Sequence, residues 1–326
     1  MYKICRFNLV IILFITVYYV MYTVCQTRVP FDPYSWYRER HRPISEINGR
    51  TIQIKRGPRG IRITTGRDTG KEVTVPNCGI VYGVNRRIVG GSDVENGQMP
   101  WMALIQHKGA PFCGGSILNE RWILTAAHCF KIPKKETDLT IRVGSIMSNS
   151  GTVYKVDKIV VHEQYNRDAM ENSDLALVKT AWVIRMERSG NTELINGICL
   201  PKSKDDPIDK KITVAGWGKQ SLDGQGSKEL KSVQLNKVDE SDCANKFGQP
   251  MVDYPHGFSI YSSQLCASSE NKDACQGDSG GPAINYKDDR AILVGVVSFG
   301  VGCATDYPGV YTKVSHFLDW ISSHVI

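Results

Sequence analysis

The chain has 326 residues, 41% apolar and 22% charged, a globular composition that excludes disorder throughout. Its ten cysteines include no Cys-x-x-Cys pair, which argues against a zinc site. The net charge of +7 sits at one end, since residues 26–87 hold 13 Lys and Arg against 5 Asp and Glu, so the rest of the chain is not a basic, nucleic-acid-binding surface.

In chain order, Lys3 and Arg6 precede an uncharged run from Leu9 to Val24. That is the pattern of an export signal, with Thr23 and Cys25 small enough to precede a cut that leaves Gln26 first. The run falls short of the roughly twenty residues that span a bilayer, so residues 1–25 read as a cleaved signal and the protein as secreted. Export puts the eight remaining cysteines, at 78, 113, 129, 199, 243, 266, 275 and 303, where thiols pair.

Residues 26–87 are rich in Arg, Gly and Pro. They contain an aromatic cluster (Phe31, Tyr34, Trp36, Tyr37), one alternating stretch from Thr51 to Ile54, and no sustained periodicity. This is a basic, largely irregular pro-segment rather than a folded domain. Such an arm can bind an acidic polysaccharide; a solvated leader is the plainer alternative.

After Ile88 the texture changes to short apolar or alternating runs separated by Gly, Pro, Asn and Asp. They include Trp101–Gln106, Trp122–Thr125, Thr140–Val143, Val153–Val161, Leu175–Val178, Ile212–Gly216 and Ala291–Val297. The pattern predicts an all-β barrel or sandwich over 88–326. At the end, Val314, Phe317, Leu318, Ile321 and Val325 follow helical spacing, with Ser315 placed to cap one amphipathic helix.

Three segments carry chemistry. A serine hydroxyl becomes a nucleophile when a base takes its proton, and the base needs an acceptor to fix its tautomer. Leu124-Thr125-Ala126-Ala127-His128-Cys129 sets a histidine beside a cysteine that could pin it. Asn172-Ser173-Asp174-Leu175 puts an aspartate at the mouth of an apolar strand, where a partly buried carboxylate needs a partner. Gly277-Asp278-Ser279-Gly280-Gly281-Pro282 sets a serine in a tight turn that a substrate backbone can approach.

In the order His, Asp, Ser, these segments resemble the chymotrypsin-like (trypsin family) serine peptidases. The likeness extends to Arg87-Ile88-Val89-Gly90-Gly91, Cys113-Gly114-Gly115-Ser116, Ala215-Gly216-Trp217-Gly218 and Val297-Ser298-Phe299-Gly300. It implies two six-stranded antiparallel β-barrels with a C-terminal α-helix. Residue by residue, it makes Ser279 the nucleophile, His128 the general base and then acid, and Asp174 the residue that orients His128. Gly277 and Ser279 would supply the oxyanion-hole N–H groups. Asp273 would form the floor of an Arg/Lys pocket walled by Gly300 and Gly309.

Cleavage between Arg87 and Ile88 would switch the zymogen on, the new Ile88 ammonium pairing with Asp278. The resemblance also pairs Cys113 with Cys129, Cys243 with Cys266, and Cys275 with Cys303. A bridge between Cys78 and Cys199 would tether the pro-segment, as in regulatory members of the family. A further bridge of many trypsins is missing, its positions matching Ile212 and Asn285. The calcium loop is doubtful because Gly144–Val156 has no acidic residue, so no metal and no cofactor are expected.

The implied partners are protein substrates with Arg or Lys before the scissile bond, an activating protease, and serpin- or Kunitz-type inhibitors. No nucleic acid is expected. The expected role is limited proteolysis in a cascade or venom. A digestive trypsin and a non-catalytic homologue acting as a binding cofactor are the alternatives; the latter typically lack a triad residue, whereas all three are present here.

Overall fold

A computed structural model describes residues 52–57, 60–65, 73–74, 76–80, 92–131, 135–165, 172–189, 192–204, 207–219, 226–251, 256–269, 278–301 and 306–325. Residues 1–25, expected to be a signal, most of residues 26–87, expected to be a pro-segment, and Arg87, Ile88, Asp273, Cys275, Gly277 and Cys303 lie outside these.

Strands form where apolar residues alternate with polar ones, and burial follows that alternation. In Leu139–Val143, for example, Leu139, Ile141 and Val143 are buried while Thr140 and Arg142 are only partly covered. Within residues 26–87, expected to be a largely irregular pro-segment, two strands pair, β1 (Ile52–Gly57) and β2 (Gly60–Thr65). A short β3 (Ser92–Asp93) then leads into the first barrel.

That barrel consists of β4 (Met102–His107), β5 (Ala110–Ile117), β6 (Trp122–Thr125), β7 (Leu139–Val143), β8 (Thr152–Val161) and β9 (Ala176–Thr180). It closes in the order β4-β5-β6-β9-β8-β7. Between the barrels lie two short paired strands, β10 (Glu187–Ser189) and β11 (Thr192–Ile195). The second set is β12 (Lys211–Gly216), β13 (Lys231–Val238), β14 (Gln264–Ser268), β15 (Pro282–Lys287), β16 (Arg290–Phe299) and β17 (Gly309–Lys313). Its order is β12-β15-β16-β17-β14-β13, closed by β12 on β13, with β3 added outside β13. The expected pair of six-stranded antiparallel barrels is therefore the fold. Closure removes the exposed edges that an open sheet would carry. Ile212, Val214, Leu235, Leu265, Val294 and Tyr311 fill the second core.

Among the described residues two α-helices are seen where one was expected. α1 (Glu240–Phe247), between β13 and β14, buries Cys243 and Phe247 one turn apart. α2 (Leu318–Val325) closes the chain, preceded by a 3₁₀ turn over Val314–Phe317. The five apolar positions of the helical spacing are all buried, but Ser315 does not cap. The 3₁₀ turn begins one residue before it and encloses it, and its buried hydroxyl has no hydrogen-bond partner among the described residues.

Cys78 is bonded to Cys199, Cys113 to Cys129 and Cys243 to Cys266. The segment around Cys78 is stitched down by polar contacts as well. Asn119 donates to the Val73 carbonyl at 3.0 Å, Asn196 to that of Asn77 at 2.9 Å, and Arg290 to that of Cys78 at 2.7 Å. In place of the missing bridge, the buried Asn285 donates to the Lys211 carbonyl at 2.7 Å and accepts the Asp209 N–H at 2.8 Å. One side-chain amide thus holds the start of β12.

Candidate active site

His128 lies in a 3₁₀ turn, Ala127–Phe130, that follows β6 directly. Two contacts fix that turn to β5: the Cys113–Cys129 bridge, and the Thr125 hydroxyl, which donates to the Gly114 carbonyl at 2.7 Å. The small residues before His128 are explained by what crosses them. Gly280, at φ +79°, passes so close that a Cβ there would lie 2.1 Å from Thr125 Oγ1 and 3.1 Å from the Ala126 nitrogen. Only a glycine fits.

Asp174 is fully buried at the entrance to β9. An unpaired carboxylate there would be costly, and it is well supplied with donors. Oδ1 accepts the backbone N–H of His128 at 2.8 Å, while Oδ2 lies 2.7 Å from His128 Nδ1 and accepts the Ser298 hydroxyl at 2.6 Å. With both oxygens committed, the carboxylate faces the imidazole as an acceptor, so Nδ1 carries its proton and Nε2 is left as the basic nitrogen. The His128 side chain is 16% exposed, whereas that of Asp174 is fully covered.

Ser279 is drawn to the same place by its backbone. Its carbonyl accepts the Gly114 N–H at 2.8 Å, and the next residue, Gly280, donates to the Val297 carbonyl at 2.9 Å. Val297 and Ser298 are neighbours on β16. One strand therefore holds the serine turn through Val297 and the buried carboxylate through Ser298. Through these contacts the three segments, far apart in sequence, are held together where the two barrels meet.

Asp278, next to the serine, accepts the Gly218 N–H on Oδ1 at 2.8 Å. Gly300 and Gly309 flank the Phe299–Val310 pair where β16 meets β17, so both proposed wall positions fall at one end of the second barrel. The floor residue Asp273 and the oxyanion residue Gly277 lie outside the described residues. Cys113, His128 and Cys129 form a group whose potential ligand atoms lie within 4.8 Å of one another, yet it is a poor metal site. The two sulfurs are bonded to each other, and Nδ1 is engaged by Asp174.

Ser298 was marked in the sequence only as part of a string, with no role. It is a buried hydroxyl in a largely apolar β16, at a register shift between Val297 and Phe299, so two-residue alternation does not tell which way it faces. Thr312, whose hydroxyl donates to the Asp174 carbonyl at 2.9 Å, gave no signal.

Comparison with known proteins identifies the family. Residues 88–321 match the family model described as Trypsin. The chain is 40% identical over 245 residues to U21-ctenitoxin-Pn1a of Phoneutria nigriventer, covering 72% of this chain and 98% of that one. It is 38% identical to the venom peptide isomerase heavy chain of Agelenopsis aperta, covering 73% and 100%. To trypsin beta of Drosophila erecta it is 39% identical, covering 76% and 92%. The chain belongs to the trypsin family of serine peptidases.

Proposed function

We propose that this serine endopeptidase is exported as a zymogen, is switched on by cleavage between Arg87 and Ile88, and then cuts after Arg and Lys in limited proteolysis. The observation that carries the catalytic part is the 2.7 Å contact of His128 Nδ1 with a buried, otherwise saturated Asp174, beside the Ser279 turn.

In this reading Nε2 of His128 takes the Ser279 hydroxyl proton as Oγ bonds to the scissile carbonyl carbon. The electron pair of the C=O bond moves onto oxygen, received by the N–H groups of Gly277 and Ser279. Losing one such donor costs about 10²- to 10³-fold in rate. Nε2–H then passes its proton to the leaving nitrogen as the C–N bond breaks, leaving an acyl ester on Ser279. Water repeats the cycle: its proton goes to Nε2, its oxygen to the acyl carbon, and Ser279 leaves with the proton returned.

Strand pairing supports the switch. Ser92 pairs with Ser232, which pairs with Ala215, and the next residue, Gly216, lies against the Asp278 carboxylate. An Asp93–Lys231 ion pair holds the same two strands. Ile88 is four residues before Ser92, and four extended residues reach at most about 14 Å. A new ammonium on Ile88 is thus tethered within reach of Asp278, where a buried ion pair would order the neighbouring turn.

A pocket floored by Asp273 and open between Gly300 and Gly309 suits Arg and Lys. The tethered segment around Cys78 favours a regulated protease over a digestive one, and two relatives named as a ctenitoxin and a venom isomerase favour a venom setting. The test is turnover of Arg and Lys peptide amides by the cleaved protein. Asp273→Ser should lower it by several orders of magnitude without unfolding the chain; equal turnover would remove the pocket assignment.

A further inference from the structure

Asp174 belongs to the first barrel but is held from the second barrel at two points. Ser298 on β16 donates to its carboxylate, and Thr312 on β17 donates to its backbone carbonyl at 2.9 Å. Thr312 is 1% exposed, and its register is fixed by Gln264 on one side and Val296 on the other. Its hydroxyl therefore projects from a rigid strand onto the neighbouring barrel.

The backbone it meets is tightly turned. Ser173, just before Asp174, has φ +57°, a left-handed conformation that side-chain-bearing residues rarely adopt. The Leu175 N–H returns to the Ser173 carbonyl at 2.8 Å, closing a three-residue turn centred on Asp174. Such a turn relaxes most simply by rotating the peptide that follows Asp174, and that peptide carries the carbonyl held by Thr312. Rotation there would change how the side chain leaves the backbone, and with it the aim of the carboxylate at Nδ1. Imidazole orientation is sensitive to such errors, since a misplacement of about 1 Å at a catalytic group can cost about 10² in rate.

We propose that Thr312 is a positioning residue: its hydroxyl locks the Asp174 turn and so fixes the direction from which the carboxylate meets His128. The inference rests on the catalytic reading of Ser279, His128 and Asp174.

The test uses full-length, cleaved protein, with rates expressed per molecule of Ser279 labelled by a phosphonate. Thr312→Val keeps the shape and deletes the hydroxyl; Thr312→Ser keeps the hydroxyl; Ser315→Ala removes a buried hydroxyl that has no partner among the described residues. The expected result is a kcat about tenfold lower for Thr312→Val, with KM within about twofold. Thr312→Ser should recover most of the loss, and Ser315→Ala should match the parent. Should Thr312→Val not fold, Thr312→Ala is read the same way. An unchanged kcat in the variant lacking the hydroxyl, an equal loss in Thr312→Ser, or a rise in KM that accounts for the effect would overturn the proposal. An inactive parent enzyme would instead strike at the catalytic reading, so the two failures are distinct.

Discussion

Asp278 can lie where it does only because two residues sixty positions away have no side chain. A Cβ at Gly216 would fall 1.9 Å from Asp278 Oδ1, and one at Gly218 would fall 2.7 Å from both its Oδ1 and its Cγ. Gly216→Ala should therefore push the carboxylate off the Gly218 N–H and misplace the turn that presents Ser279. Activity of the cleaved protein should drop by about 10² or more, the scale of a lost oxyanion donor. Its melting temperature should stay within a few degrees; parental activity would contradict the account. In the sequence, Ala215–Gly218 was visible as a string of the family, but the reason for its glycines was not. The carboxylate they accommodate is remote in the chain, and no local pattern encodes the approach. The same holds for Ser298 and Thr312, whose partner lies in the other barrel.

At the scale of elements, the C-terminal helix docks against the turn after β8. The ring of His162 packs edge-on to Phe317 at 5.0 Å and beside Trp320 at 4.8 Å, and its backbone N–H reaches the Leu175 carbonyl at 3.0 Å. Glu163 accepts the Trp320 indole N–H at 2.8 Å and lies 3.4 Å from His324. Burial pushes the His162 pKa down to about 4, with Glu163 opposing the shift and His324 and His316 adding to it. A depressed histidine contributes stability that is present above its unfolded value near 6.5 and is lost as pH falls through the folded value. The melting temperature should accordingly fall between pH 7 and pH 4.5, and fall less in His162→Phe. Parallel curves for the two proteins would place the acid sensitivity elsewhere.

The helix itself was legible because five apolar residues at 3.6-residue spacing survive as buried positions. Its cap was not, because a 3₁₀ turn moves the start and encloses Ser315. α1 escaped notice because eight residues with two buried positions give too little periodicity to separate from a loop. The seven runs named from the sequence fall on β4, β6, β7, β8, β9, β12 and β16, because apolar patterning is local information, whereas β5, β13, β14, β15 and β17 were not among them.

For the whole molecule, two closed barrels meet at the serine turn and the aspartate, both held by β16, and the aspartate in turn holds the histidine turn. The chain order of these motifs was legible, but their convergence depends on barrel closure, which no single segment specifies. How the segment around Cys78 is held to the second barrel was only partly readable. The bridge of Cys78 to Cys199 accompanied the resemblance, whereas the contacts of Asn119, Asn196 and Arg290 appear only in the fold.

The most direct test of the central claim is to treat the protein, cleaved at Arg87, with a serine-directed phosphonate and locate the adduct by mass spectrometry. The account predicts one adduct, on Ser279, that is abolished by His128→Ala. Folded, cleaved protein that takes up no label at Ser279, or that labels equally well without His128, would contradict it.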